Sequence, residues 1–242
     1  MMLRRVGILG GMGPEATVLL MSKIIAAVSA DDDCDHIPLI VDQNSQVPSR
    51  IERLLNGGGD DPEPILTEMA KRLESSGADA LAMSCNTAHH YAAAISSSVK
   101  VPFINMVSLS AARARQMAGV GGRVGVLASP AVRRIGLFDG AFDAVGLTTI
   151  YPANDDAVLG AIRSIKAEGI NGHAREIFRG ASEALLADGV AIQVIGCTEF
   201  SLIAGDVATG ASAFDTLDVL TEGIVAFSHG VSSETLAAHA GS

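Results

Sequence analysis

The stretch RVGILGG, residues 5–11, returns as RVGVLAS at residues 123–129, and its reading decides the fold. Each copy opens with arginine, continues as a short aliphatic run and breaks in small residues. That is the pattern of a strand buried on both faces and ending in a turn. A second pair lies at matching places: GADALAMSCNT begins at Gly77 and GVAIQVIGCTE at Gly189. Cys85 lies 80 residues beyond Arg5, and Cys197 lies 74 beyond Arg123. This weak internal repeat predicts two similar halves, each with a cysteine just past the end of a strand.

Around these anchors, short apolar runs alternate with longer helical patterns. Strands are expected at 6–9, 37–41, 80–83, 102–105, 124–128, 148–151 and 192–195. Helices are expected to include 15–29, 62–76, 108–117, 155–168 and 174–187. The alternation predicts an α/β fold of two pseudosymmetric domains, each a parallel sheet flanked by helices, with the active-site cleft between them. The expected division gives residues 1–106 plus 211–242 to the Cys85 half and 107–210 to the Cys197 half. Ligands in such sheets bind at strand C-terminal ends, so both cysteines are expected to line the cleft. The loop NGGGDDPEP, residues 56–64, reads as a flexible connector or lid, and a short Ala/Gly/Ser tail lies at the C-terminus.

Composition narrows the function classes. Of 242 residues, 48% are hydrophobic and 18% charged, enough for a substantial core and contrary to disorder. Aromatic residues are scarce at 4%, so that core is built from aliphatic side chains. The formal charge of −10 arises from 17 basic and 27 acidic residues without a basic stripe, which argues against a nucleic-acid partner. Three cysteines are too few for a disulfide framework. The segment MMLRRVGILGGMG is a poor signal peptide, and no apolar stretch is long enough to span a bilayer; a cytoplasmic protein without membrane contact is expected.

Thr87 and Thr198 follow the two cysteines as suitable N-caps or first-turn residues. A thiol beside exposed helix N–H groups has its pKa lowered to roughly 3.5–7.5, which would make it a base near neutral pH. Taken singly, each cysteine could equally be a small buried hydrophobe; their matched positions favour chemistry. Two thiols facing each other across a cleft suit inversion at carbon, since one can remove a proton while the other returns one from the opposite face. That reaction requires no organic cofactor, and two separated cysteines without convergent histidines do not make a metal site. Cys34 lies in DDDCDH, where acidic neighbours oppose a thiolate.

The motifs GILGGMGPEAT (7–17), CNTAH (85–89), IRSIK (162–166) and GCTE (196–199) occur in this order over nearly the whole chain. Together they resemble the aspartate/glutamate racemase superfamily, and GGMGPEAT with a glutamate after Cys-Thr resembles its aspartate racemase branch. The resemblance implies a cofactor-independent, homodimeric amino-acid racemase. It implies that Cys85 and Cys197 transfer protons, and that Asn86, Thr87 and Thr198 bind the substrate's α-carboxylate or amino group. Met12 would border the substrate, and Arg50 and Lys166 would supply cations for a dicarboxylic amino acid. Glu199 would accept a hydrogen bond from the substrate ammonium or favour the helix N-terminus. Three serines depart from the branch: Ser84 stands for proline, Ser49 for aspartate and Ser129 for threonine, the last keeping a hydroxyl for substrate. His89 is a candidate supporting residue near Cys85.

Other readings stay open at the level of sequence. GMGPEA, residues 11–16, fits a dinucleotide-binding turn, with Asp42 at the end of the next strand. A nicotinamide-dependent oxidoreductase is therefore a rival, although Asp42 lies 26 residues past Ala16 and the paired cysteines gain no role. A two-domain amino-acid-binding protein is a second. Glutamate, broad-specificity or hydantoin racemases and maleate isomerase are nearer alternatives.

Overall fold

Both copies of the repeat form strands, at the same place in each half. The computed structural model describes residues 3–231, and the Ala/Gly/Ser tail lies outside the described residues. The first half runs β1 (Val6–Gly10), α1 (Pro14–Ala26), β2 (Leu39–Gln43), α2 (Glu63–Ser75), β3 (Ala80–Met83), α3 (Ala92–Ser98), β4 (Phe103–Ile104) and α4 (Met106–Ala118). The chain continues through β5 (Arg123–Leu127), α5 (Pro130–Arg134), α6 (Leu137–Asp143), β6 (Thr148–Ile150), α7 (Asp155–Glu168) and α8 (Gly172–Ala187). It ends with β7 (Ile192–Ile195), α9 (Thr198–Ser201), β8 (Ser212–Asp215) and α10 (Thr216–Ser228). The sheets have the orders β2-β1-β3-β4 and β6-β5-β7-β8, and every pairing is parallel. The fold is thus α/β with two pseudosymmetric four-stranded sheets.

The repeated letters have local physical causes. A Cβ at Gly7 would approach Leu81 Cδ2 to 2.8 Å and Leu73 Cβ to 3.1 Å; one at Gly125 would approach Leu185 Cδ1 to 2.7 Å. The glycine of each Arg-Val-Gly therefore lets a leucine of the covering helix, α2 or α8, lie directly on the strand. Gly77 and Gly189 end those helices at φ +91° and +74°, where an L side chain is strained. Ala78 N–H donates to Leu73 O and Gly77 N–H to Glu74 O; Val190 donates to Leu185 and Gly189 to Leu186 in the same way. The two motifs GADALAM and GVAIQVI are thus identical helix stops, each followed by a strand.

Each sheet separates two apolar layers. Val6 and Ile8 of β1 pack with α1 and α10, whereas Leu9 faces α2 with Leu66, Met69 and Leu73. In the second sheet, Val124 and Val126 face Phe138 and Phe142 of α6, whereas Leu127 and Ile195 face Ile162, Ile165 and Phe178 of α7 and α8. Helices α4 and α10 join the halves. Met106, Leu217, Leu220 and Ile224 pack with the first sheet, while Val107, Ala111, Ala114 and Val219 pack with the second. Burying a leucine at this junction contributes about 1.5–3 kcal/mol.

Two expectations need correction. Residues 212–215, expected in the Cys85 half, form the edge strand of the other sheet, with Ile192 opposite Ser212 and Ile195 opposite Asp215. The chain returns to the first sheet only with α10. A four-residue strand that starts exposed offers too short an apolar run to stand out. Strand β2 begins two residues later than expected, because Pro38 has no N–H to give to a ladder.

Candidate active site

Loops from the C-terminal ends of both sheets converge on one small cavity. Met12 follows β1, Arg50 follows β2 and Cys85 and Thr87 follow β3; Ser129 follows β5, and Cys197 and Glu199 follow β7. Lys166, near the end of α7, completes the expected residues found in its wall, together with Ser49, Ile51 and Ile162. Asn86 and Thr198 are buried but do not line it. The cavity measures about 30 Å³, which holds only about one or two waters. A larger outer cavity of about 480 Å³ shares Ser49, Arg50, Lys166 and Glu199 with it and reaches Glu15, Ser45 and Val47.

Cys85 sits two residues beyond β3, with neutral polar groups around it. Ser84, fully buried, lies 3.1 Å from Thr17 Oγ1, which also accepts the Gly11 N–H at 2.9 Å. The serine that replaces proline thereby ties the Cys85 turn to the Met12 turn. Asn86 Nδ2 donates to Thr216 Oγ1 at 2.9 Å, and Thr216 donates to Ile195 O at the end of β7. The expected substrate-binding amide is thus directed at the opposite half, with Oδ1 left without a partner. Thr87 Oγ1 lies 3.5 Å from Ser129 Oγ, one hydroxyl from each half. His89 Nδ1 is 2.8 Å from Cys85 O, and burial pushes its pKa down to about 4, so the ring is neutral. It meets the carbonyl of Cys85, as a supporting residue rather than an ion-pair partner of the thiol.

The Cys197 turn is ionic. Cys197 Sγ donates to Glu199 Oε2 at 3.0 Å, and Glu199 Oε1 pairs with Lys166 Nζ at 3.0 Å. Burial and then the Glu199 charge raise the Cys197 pKa well above its ordinary value, with Lys166 opposing them. The expected lowering by a helix N-terminus does not hold here. Helix α9 spans only four residues, and a carboxylate stands against the sulfur. Thr87 and Thr198 are first-turn residues rather than N-caps: they open the 3₁₀ turn Thr87–Tyr91 and α9, whose cap positions are Asn86 and Cys197. Burial opposes the charge on Lys166, yet Glu199 and the two cysteine sulfurs outweigh it and raise its pKa. Both Glu199 oxygens are already engaged, by a thiol and an ammonium.

Of the two cations in the cavity wall, Lys166 is paired with Glu199, whereas Arg50 has no acidic partner among the described residues. It is 9% exposed, and its Nη1 donates to Val47 O at 3.0 Å and Pro48 O at 2.7 Å. Its buried Nε has no hydrogen-bond partner, which suits it to an anion in the cavity. The segment that carries Arg50 continues through a turn at Glu52–Asn56 to Gly57 and Gly59, both at positive φ. Arg134 of the second half donates to Leu55 O at 2.8 Å and straps this segment down. Asp42, the ribose-binding candidate of the oxidoreductase reading, is instead held by Arg72 at 2.8 Å. Among the described residues, no three His, Cys, Asp or Glu side chains converge as metal ligands would. No described helix is long and apolar enough to cross a membrane.

The sequence reading missed three polar groups next to the site, Thr17, Thr216 and Arg134. Thr17 closes the GILGGMGPEAT motif without a role being read for it, and Thr216 and Arg134 carry no local motif; each is brought in by tertiary packing.

Residues 9–224 match the family model for Asp/Glu/hydantoin racemases. The broad specificity amino-acid racemase RacX of Bacillus subtilis (strain 168) is 31% identical over 106 residues, which are 42% of this chain and 45% of RacX. The match thus spans less than half of that relative's length. The Picrophilus torridus aspartate racemase superposes with a TM-score of 0.81 at 26% identity, over 93% of this chain and 94% of that one. An aspartate racemase homologue from Pyrococcus horikoshii OT3 superposes with a TM-score of 0.72 at 21% identity, over 94% of this chain and 100% of that one. The second likeness is one of fold.

Proposed function

The chain belongs to the Asp/Glu/hydantoin racemase family, and we propose that it racemises an acidic amino acid, aspartate first among candidates, by proton transfer between two cysteines. The observation that carries this reading is that Cys85 and Cys197 follow equivalent strands of the two sheets and line the same small cavity. In the proposed reaction one thiolate removes the α-proton, and the electron pair left on carbon spreads into the α-carboxylate. The opposite thiol delivers its proton to the other face, so thiol and thiolate have exchanged places after one turnover. In the resting site, Cys197 is the acid, because burial and Glu199 keep its proton on; Cys85 is then the base for the first turnover. Once Cys197 has given its proton to the substrate it is the thiolate, with the Lys166 ammonium held nearby through Glu199, and it serves as the base for the opposite direction.

The substrate class follows from Arg50, whose unpartnered Nε would meet the side-chain carboxylate. Thr87 and Ser129 would bind the α-carboxylate from both halves. The inner cavity is smaller than an amino acid, and we propose that the segment carrying Arg50, which Arg134 straps down, lifts to admit one. A cofactor-independent homodimer completes the proposal; light scattering checks the assembly. The enzymatic test is chiral analysis of L-aspartate and L-glutamate incubated with the wild type, Cys85→Ala and Cys197→Ala. The wild type should form the D-enantiomer and both variants should lose racemisation. Full activity in either variant would sink the assignment.

A further inference from the structure

His89 lies four residues beyond Cys85 and is 4% exposed. Its Nε2 faces the backbone N–H of Met106 at 3.2 Å. A backbone N–H can only donate, so Nε2 carries no proton and the ring hydrogen sits on Nδ1. Nδ1 therefore donates to the Cys85 carbonyl at 2.8 Å. The Phe103 ring, 5.5 Å away, packs beside the imidazole. Met106 is the first residue of α4, and Asn105 Oδ1 accepts the next two N–H groups. His89 thus takes up the N–H that this cap leaves, on a helix whose apolar face is shared between both halves.

Both ring nitrogens are engaged, because a buried idle nitrogen is costly; what matters is which groups they engage. Here one nitrogen is fixed by the helix and the other holds the carbonyl of the residue that faces the cavity. We propose that His89 is a positioning residue for Cys85, holding the Cys85 peptide, and with it the direction of the thiol, against the start of α4. This rests on the reading of Cys85 as a proton-transfer group. It also separates two roles, since the bond to Met106 serves the helix and the bond to Cys85 serves the reaction.

Two amides divide those roles. The short side chain of His89→Asn brings an N–H to the place of Nδ1, whereas His89→Gln reaches the place of Nε2. The experiment compares kcat, KM and thermal midpoint for aspartate racemisation in wild type, His89→Asn, His89→Gln and His89→Ala, with Cys85→Ala alongside. His89→Gln and His89→Ala should lose about 10- to 100-fold in kcat, the scale of a small misplacement of a reacting group, with KM little changed. His89→Asn should stay within about threefold of wild type despite a midpoint as low as that of His89→Gln. If His89→Ala does not fold, the Asn and Gln pair carries the comparison. His89→Gln with the wild-type kcat, or losses that follow the thermal midpoint whichever amide is present, would overturn the positioning role. Racemisation that survives in Cys85→Ala would overturn the reading beneath it instead.

Discussion

The Cys85 and Cys197 turns hold equivalent places in the two halves and are built by opposite means. Each cysteine stands two residues past the third strand of its half, and each is 6% exposed. Around Cys85 the contacts are uncharged: Ser84 to Thr17, Asn86 to Thr216 and His89 to Met106 tie the turn to α1, α10 and α4. Around Cys197 the contacts are ionic, through Glu199 and Lys166. A neutral network fixes geometry; a carboxylate beside a thiol favours its protonated form. Pseudosymmetric backbones have thus acquired different hydrogen-bonding partners, and in the proposed reaction one turn would supply a placed base and the other a held acid.

The largest expected effect comes from removing the charge that distinguishes the turns. In Glu199→Gln, Lys166 loses its partner and Cys197 loses the neighbour that raises its pKa. We expect kcat to fall about 10²-fold, within the range of general acid–base contributions. The alkaline limb of the pH–rate profile should move to lower pH, because the proton on Cys197 is held less firmly. A profile that stays in place would contradict the assignment of Cys197 as the resting acid.

The neutral turn makes the opposite kind of prediction, about acid. The pKa of His89 falls from 6.5 to about 4 on folding, so the unfolded chain binds the extra proton first as pH drops. The stability this group contributes is complete above 6.5 and is lost as pH falls toward 4, on the order of 3 kcal/mol in all. Denaturant titrations across that window should show the loss in wild type and not in His89→Asn. An equal slope in both would remove His89 from the acid sensitivity of the Cys85 turn.

Arg50 belongs to neither turn, and Arg50→Ala should raise KM for aspartate about 30-fold, as expected for a lost charge-assisted hydrogen bond to a carboxylate. An amino acid with an uncharged side chain, if turned over, should be little affected. The smallest effect is expected from Arg134→Ala, which removes one exposed hydrogen bond to Leu55. KM should shift by no more than about tenfold, the scale of a single such bond. A larger change would mean that the strap, rather than either turn, governs access to the site.

Sequence made the two cysteines and their strands legible, because the signals are local: a glycine helix stop, a short and largely apolar strand, one small residue, then the thiol. The cavity wall was largely legible for the same reason, since most of its lining motifs follow a strand; Ile162 and Lys166 come instead from α7. The supporting bonds between distant segments were not. Asn86 and Thr216 stand 130 residues apart, and Ser84 meets Thr17 across 67. The sign of the Cys197 shift was misjudged because Thr198 suggested a helix N-terminus, whereas the side chain of Glu199 folds back onto the sulfur. Strand β8 escaped notice because Ser212–Asp215 contributes only two buried residues.

The central claim, a base on one face and an acid on the other, is tested most directly by the position of deuterium. L-aspartate would be incubated with the wild-type protein in deuterium oxide and sampled early, when little product has formed. The account predicts deuterium at the α-carbon of the D-aspartate formed and protium in the remaining L-aspartate, because the proton removed and the deuteron returned belong to different sulfurs. Deuterium at equal levels in both enantiomers would point to a single base and contradict it.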